Sequence, residues 1–167
     1  MPLQERVTKD FHPAVQRDFN NMMLGERLGS GIGREVFVDR LNPRRVIKLE
    51  ENGFQNVTEH LVWAALCDTP WASWFARCYW ISPNGRILIQ QRTYLPKKPP
   101  PLPELVPNFV VDAWERNMGV INGRWVFCDY GHTNLLRLGL QNFRWVPVDE
   151  ENQLVRPCSV QFNEWGL

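Results

Sequence analysis

Between Glu26 and Glu50 the apolar residues come in short runs bounded by turn-formers. Val36 and Val38 are followed by Val46-Ile47-Lys48-Leu49, with Leu41-Asn42-Pro43-Arg44 between them. Short β-branched runs around an Asn-Pro pair predict three strands over residues 25–50, joined by short turns. The period then changes. Glu59, Val62, Trp63 and Leu66 fall on one face at helical spacing. Asn56-Val57-Thr58-Glu59 has capping-box spacing, which predicts a helix start with Asn56 as cap. A hairpin follows: Arg77-Cys78-Tyr79-Trp80-Ile81 and Arg86-Ile87-Leu88-Ile89-Gln90 flank Ser82-Pro83-Asn84-Gly85, whose Asn-Gly favours a tight turn. Residues 25–90 therefore read as three strands, a helix and two strands.

The pattern is weaker on either side. Residues 1–24 are polar, with Phe11, Val15, Phe19, Met22 and Met23 sketching a leading helix. Pro96-Lys97-Lys98-Pro99-Pro100-Pro101-Leu102-Pro103 predicts an extended connector in place of helix or central strand. Beyond it, Met118-Gly119-Val120-Ile121 and Arg124-Trp125-Val126-Phe127-Cys128 flank Asn122-Gly123 as a second hairpin. Phe143 to Val148 is one more strand candidate. Val106, Phe109, Val110, Ala113 and Trp114 also fit a helical stripe. The units are thus an N-terminal extension (1–24), a sheet-and-helix lobe (25–92), a Pro-rich connector (93–103) and a second region (104–167).

Composition narrows the possibilities. A chain of 167 residues, 44% apolar and 12% aromatic, can bury one core or two small lobes sharing a cleft. Its net charge of +1 and lack of a long Lys/Arg run give no basic footprint for nucleic acid. The longest apolar stretch, Leu61 to Cys67, is too short to span a bilayer, and Met1 to Arg6 carries charge without a secretory core. Cys67, Cys78, Cys128 and Cys158 lie far apart, as do His12, His60 and His132. Without close pairs they read as free thiols in a reducing cytoplasm, with no zinc site or redox dithiol among them.

The candidate chemistry lies in the order of the polar residues. Leu28-Gly29-Ser30-Gly31-Ile32-Gly33 opens a strand, and Lys48 sits alone inside an apolar one. A buried ammonium needs a partner, and Glu59 on the next helix, facing inward with Val62, Trp63 and Leu66, is the natural one. Asp112, Asn117 five residues on, and Asp129-Tyr130-Gly131 follow. Together these resemble the protein-kinase-like fold. Residues 77–131, with Ser-Pro-Asn-Gly, a Pro-rich link, Asp-x4-Asn-x-Gly and Asp-Tyr-Gly in series, resemble small kinase-like proteins encoded by bacteriophages and prophages.

The resemblance implies an α+β fold with a five-stranded antiparallel small-lobe sheet, one helix and a reduced second lobe. It also implies ATP and Mg2+ as cofactors. Gly29, Ser30, Gly31 and Lys48 would hold the phosphates, with Lys48 paired to Glu59. Asp112 would serve the hydroxyl nucleophile, and Asn117 and Asp129 would hold the metal. A second register places Asp129 and Asn134 in the catalytic loop and Asp149 on the metal. The first is preferred because it accounts for Asp112, Asn117, the Asn-Gly turn and Tyr130-Gly131 together. Three features depart from the family: Arg34 stands where its third glycine falls, no His-Arg-Asp triplet precedes either aspartate, and few residues remain after Asp129 for a large lobe. Two functions follow as expectations: phosphotransfer to a hydroxyl, or a catalytically inactive binding protein working through a host or assembly partner. A protein partner or self-association is expected at the Pro-rich segment and the chain's end, with Trp114, Trp125, Trp145 and Trp165 at that surface.

Overall fold

The computed structural model describes residues 11–31, 33–111, 113, 115–138 and 142–148. Helix α1 (Phe11–Met23) leads directly into β1 (Leu24–Gly31), β2 (Arg34–Asp39) and β3 (Arg45–Glu50). Helix α2 (Phe54–Leu66), a 3-10 turn (Pro70–Trp74), β4 (Cys78–Ile81) and β5 (Ile87–Gln91) complete the first half. The five strands form one antiparallel sheet in the order β1-β2-β3-β5-β4. The architecture is α+β, and the expected succession of strands and helix over 25–90 is present, as is the leading helix.

β3 lies at the centre, so Val46, Ile47 and Lys48 are all buried. Strand parity sends Val46, Lys48 and Glu50 to one face, and α2 covers it. Two residues of that set reach the helix at different heights. Glu50 accepts the N–H groups of Gln55 and Asn56 at 2.9 and 2.8 Å, and so caps the helix from the preceding strand. A carboxylate there also suits the positive end of the helix dipole. This corrects the expected start: Asn56 is not the cap. The helix begins at Phe54, after Gly53 in the left-handed region at φ 75°. Asn56 is fully buried and donates to Lys48 O at 3.3 Å and Gly85 O at 3.0 Å. It ties α2 to both the sheet and the β4–β5 turn.

Two glycines make that docking possible. A Cβ on Gly53 would lie 2.9 Å from Asn84 O, and one on Gly85 would lie 2.6 Å from Val57 Cγ2. Both have positive φ, which only glycine adopts without strain.

The second half is built from small pieces. β6 (Leu105–Pro107) pairs with β9 (Trp145–Pro147), and β7 (Met118–Ile121) pairs with β8 (Arg124–Phe127) across Asn122-Gly123. The four-residue helix α3 spans Leu135–Leu138, and the candidate strand at 143–148 shrinks to β9. The helical stripe from Val106 onward forms no helix. Val106 precedes Pro107, which drives it into the extended region, and both join β6. Val106, Phe109, Val110 and Ala113 are buried all the same, packed in irregular chain.

One core runs through both halves. Val62, Leu66, Phe75 and Leu88 from the first pack with Phe109, Met118, Phe127 and Tyr130 from the second. Backbone bonds cross the seam from Ala76 N to Phe127 O and between Tyr94 and Val120. Gly119 lies against Thr93, where a Cβ would sit 2.4 Å from the threonine Cβ. The Pro-rich connector has no helix and no ladder strand over 96–103, and Trp125 Nε1 donates to Pro100 O at 2.9 Å. Trp125 is therefore covered by its own chain, which corrects its place among residues awaiting a partner. Trp145 packs against Trp71 at a tilt and against Trp74 edge-on, with ring centroids 4.7 and 4.6 Å apart. Trp114 and Trp165 lie outside the described residues.

Candidate functional site

Four charged side chains from four segments meet between α2 and the sheet. Lys48 Nζ on β3 donates to Glu59 Oε2 on α2 at 2.7 Å. Arg34 Nη2, at the start of β2, reaches Glu59 Oε1 at 2.6 Å and Asp129 Oδ1 at 2.9 Å. Glu59 is fully buried, and Lys48 and Arg34 nearly so, whereas the Asp129 side chain is 41% exposed. A buried charge is tolerated only when paired and hydrogen-bonded. Glu59 meets that demand by giving one oxygen to each cation, and Oε2 also accepts Gln90 Nε2 at 2.9 Å.

Each partner follows from local geometry. Arg34 lies directly across the β2–β3 ladder from Glu50, and Val36 across from Lys48. Arg34 therefore shares the covered face. Glu59 is on the buried face of α2 with Asn56, Val62 and Leu66. Asp129 is delivered by backbone contacts: Cys128 N and Asp129 N both donate to Asn117 O, at 2.8 and 3.0 Å. Lys48 Nζ also donates to Cys128 O at 2.5 Å, so the ammonium touches the peptide just before Asp129.

Tyr130 anchors the same segment. It is buried, donates its hydroxyl to Ala76 O at 2.7 Å, and lies 3.1 Å from Cys78 Sγ. Phe75 meets its ring edge-on with centroids 5.1 Å apart. Gly131 then passes so close to α2 that a Cβ would lie 2.9 Å from Gln55 Cβ.

The electrostatics follow this packing. Burial alone would raise the Asp129 carboxyl, but Lys48 and Arg34 outweigh it and hold the group below its usual value. Burial works against the Arg34 charge, and Glu59 and Asp129 more than reverse the effect, so its guanidinium is permanently charged. Burial and the nearby Glu59 push the Cys78 thiol up to about 11. Burial also raises Tyr130 well above the usual phenol.

The sequence-derived candidates thus have definite places. Lys48 and Glu59 are in contact; Asp129 joins them through Arg34 and Cys128 O, and Asn117 holds Asp129 by its backbone. Gly29, Ser30 and Gly31 end β1, paired with Val36, Glu35 and Arg34, so they form a strand end, and the described turn residue after them is Gly33. Asp112 and Asp149 lie outside the described residues. Asn134 is exposed at the start of α3, with its N–H on Phe109 O. Arg34, Gln90 and Glu50 were not anticipated as site residues. Parity with Val36 and Val38 along β2 was the available signal for Arg34.

The donor set speaks to what the site can hold. Cβ atoms on Gly31 and Gly33 would meet nothing within 4 Å, so there is open space at these two glycines, next to Arg34. Two cations near that space suit an anion. A metal fits less well: no group of three or more His, Cys, Asp or Glu gathers to hold one among the described residues, and Asp129 Oδ1 already carries Arg34. A cavity of about 320 Å3 lies elsewhere, between Trp63, Phe75, Arg77 and the β7–β8 turn, and none of the four charged residues lines it. Among the described residues no helix is long and apolar enough to cross a membrane. Comparison with protein-family models gives no match, and a search of curated proteins gives no relative.

Proposed function

We propose that this chain binds a nucleotide through its phosphates, on a protein-kinase-like fold with a reduced second lobe. The observation that carries the reading is the buried Lys48–Glu59 pair at 2.7 Å, with Asp129 brought beside it and open space at Gly31 and Gly33 next to Arg34. The sheet order, the position of α2 between β3 and β4, and the insertion of Tyr130 behind α2 all support it. ATP is the proposed ligand. The resemblance also implies magnesium on Asp129 and Asn117, but Asp129 Oδ1 is engaged by Arg34, so the reading rests on the nucleotide's phosphates and not on a metal. Phosphotransfer to a hydroxyl is the activity the resemblance implies, and in it Asp112 would serve the nucleophile.

Thermal unfolding with and without ATP tests the reading, because a ligand that binds only the folded chain must raise its stability. A hundredfold excess over Kd contributes about 2.7 kcal/mol, a shift of roughly 5–10 °C for a domain of this size. Lys48→Met should shrink that ligand-dependent increment. No shift with ATP, with or without magnesium, removes the reading.

A second reading, a non-catalytic protein that works by contact, draws on the outer face of α2. Phe54, Val57 and Leu61 are 79, 40 and 46% exposed there, and contiguous exposed apolar residues mark contact sites. Glu59 sits on the opposite face of the same helix, so a second copy of the chain seated there would bear directly on the ion pair. Light scattering tests the self-association form of this second reading: a strict monomer at high concentration removes a second copy as the occupant of this face.

A further inference from the structure

Within the proposed nucleotide site one residue has no counterpart in the resemblance, and it occupies the place of a metal. Arg34 Nη2 lies 2.9 Å from Asp129 Oδ1, on the carboxylate that the resemblance assigns to the metal. The register makes this a built feature: Arg34 is the cross-strand neighbour of Glu50 on the face that α2 covers, and its side chain is only 5% exposed. The same Nη2 also reaches Glu59 Oε1 at 2.6 Å, so one nitrogen bridges the two carboxylates.

Charge counting points the same way. Lys48 and Arg34 face Glu59 and Asp129, two positive groups against two negative, while the third carboxylate near Arg34, Glu50, is taken up by the N–H groups that open α2. With the glycine of the family pattern in place of Arg34 the cluster would hold one cation and two carboxylates, a net negative charge that favours binding a cation. Arg34 also keeps a donor in reserve. Its Nη1 is buried and has no hydrogen-bond partner among the described residues. A buried donor without a partner is costly, and a phosphate oxygen entering the open space at Gly31 and Gly33 would satisfy it. A guanidinium presents several N–H groups in a planar fork suited to phosphate as well as carboxylate.

We propose that Arg34 is the resident cation of this site, standing on Asp129 in place of a divalent metal and donating to the nucleotide's phosphate, so that nucleotide binding needs no metal. The inference rests on the nucleotide reading, and it assigns Arg34 a binding role that a merely structural salt bridge would lack.

The experiment measures ATP affinity of the full chain by calorimetry in excess EDTA and again in excess Mg2+. It also titrates Mg2+ alone, and repeats the ATP pair on Arg34→Gln. The wild-type affinities should agree within about threefold, and Mg2+ alone should leave the wild-type melting temperature unchanged. Arg34→Gln should bind ATP at least tenfold more weakly in EDTA than in Mg2+, because Asp129 is then open to the ion. ATP binding by the wild type that EDTA weakens more than tenfold overturns the inference while leaving the nucleotide reading intact. So does a melting temperature raised by Mg2+ alone, or a folded Arg34→Gln chain whose ATP affinity ignores EDTA. If Arg34→Gln does not fold, the wild-type comparison decides by itself. ATP binding in neither condition overturns both the nucleotide reading and this inference.

Discussion

Residues 24–91 and residues 93–148 hold their polar groups by different means. In the first half Arg34, Lys48, Glu50, Glu59 and Gln90 all sit on regular elements, and strand or helix period alone aims them at one another. In the second half Asn117 ends a three-residue 3-10 turn (Glu115–Asn117) and Asp129 sits on irregular chain. Their positions depend on single backbone bonds from 128 and 129 to Asn117 O, on Tyr130 buried behind α2, and on Gly131 against Gln55. The two halves share one core but not one mode of support. A change in the first should break a network, and a change in the second should release a segment.

The sharpest break is Glu59→Ala. It removes the shared partner of Lys48 and Arg34 and leaves two nearly buried cations short of one. Breaking a buried pair this way costs about 3–5 kcal/mol, and urea denaturation should report a loss of that size. A loss under about 1 kcal/mol, the range of surface pairs, would mean the network is solvated and the contrast between halves is false.

Gly85→Ala should come next. It places a Cβ 2.6 Å from Val57 Cγ2 at a residue with φ 73°, so overpacking and backbone strain act together. A cost of about 1–3 kcal/mol is expected from the packing term. Gly123→Ala is the control: its φ is 75° but a Cβ would meet nothing within 4 Å, so it should cost less in the same denaturation assay. Equal losses would show that φ alone matters and that the docking of α2 on the β4–β5 turn contributes nothing.

Tyr130→Phe tests the second half. The ring stays, while the bonds from its hydroxyl to Ala76 O and Cys78 Sγ are lost. About 1–2 kcal/mol should disappear. Hydrogen exchange should accelerate most at residues 128–131 while the β3 amides keep their protection. Uniform acceleration across both halves would deny that this segment has separate support.

Smaller effects come from titration. Asp129 has a folded-state pKa below its unfolded value of about 4. The stability it contributes is therefore fully present above that unfolded value and is lost as pH falls through the folded one. The stability difference between wild type and Asp129→Asn should stay flat above about pH 5 and shrink below about pH 4. Thiol labelling gives the gentlest reading. Cys67 is exposed, whereas Cys78 is buried with its thiol raised to about 11. Native protein at neutral pH should take up iodoacetamide at Cys67 and leave Cys78 unmodified until it unfolds, as peptide mapping would show.

How far the sequence can be read also divides along this line. The alternation around Lys48 and the helical face of Glu59, Val62 and Leu66 are local regularities, so the ion pair was legible before any fold. Arg34 was legible in principle from its parity with Val36 and Val38, but it was taken only as a missing glycine. The helix start was misread because Asn56-x-x-Glu59 has cap spacing. The actual cap, Glu50, reaches it from the preceding strand, which no motif within the helix announces. The stripe from Val106 to Ala113 also fits a helix, because burial in a short strand and irregular chain leaves the same apolar spacing.

Period and turn chemistry act over a few residues, so the five strands of the large sheet, helix α2, the two hairpins and the inward lysine can be read from the chain alone. That Arg34 bridges Glu59 and Asp129, that Trp125 bonds to Pro100 O, and that Tyr130 bonds to Ala76 O emerges only from the folded arrangement. These contacts join residues far apart in the chain, and a buried charge or hydroxyl takes whichever partner the packing brings within reach. Sequence can say that Lys48 must be satisfied. Which groups satisfy it, and which cation stands on Asp129, depends on how two halves with different supports close on one core.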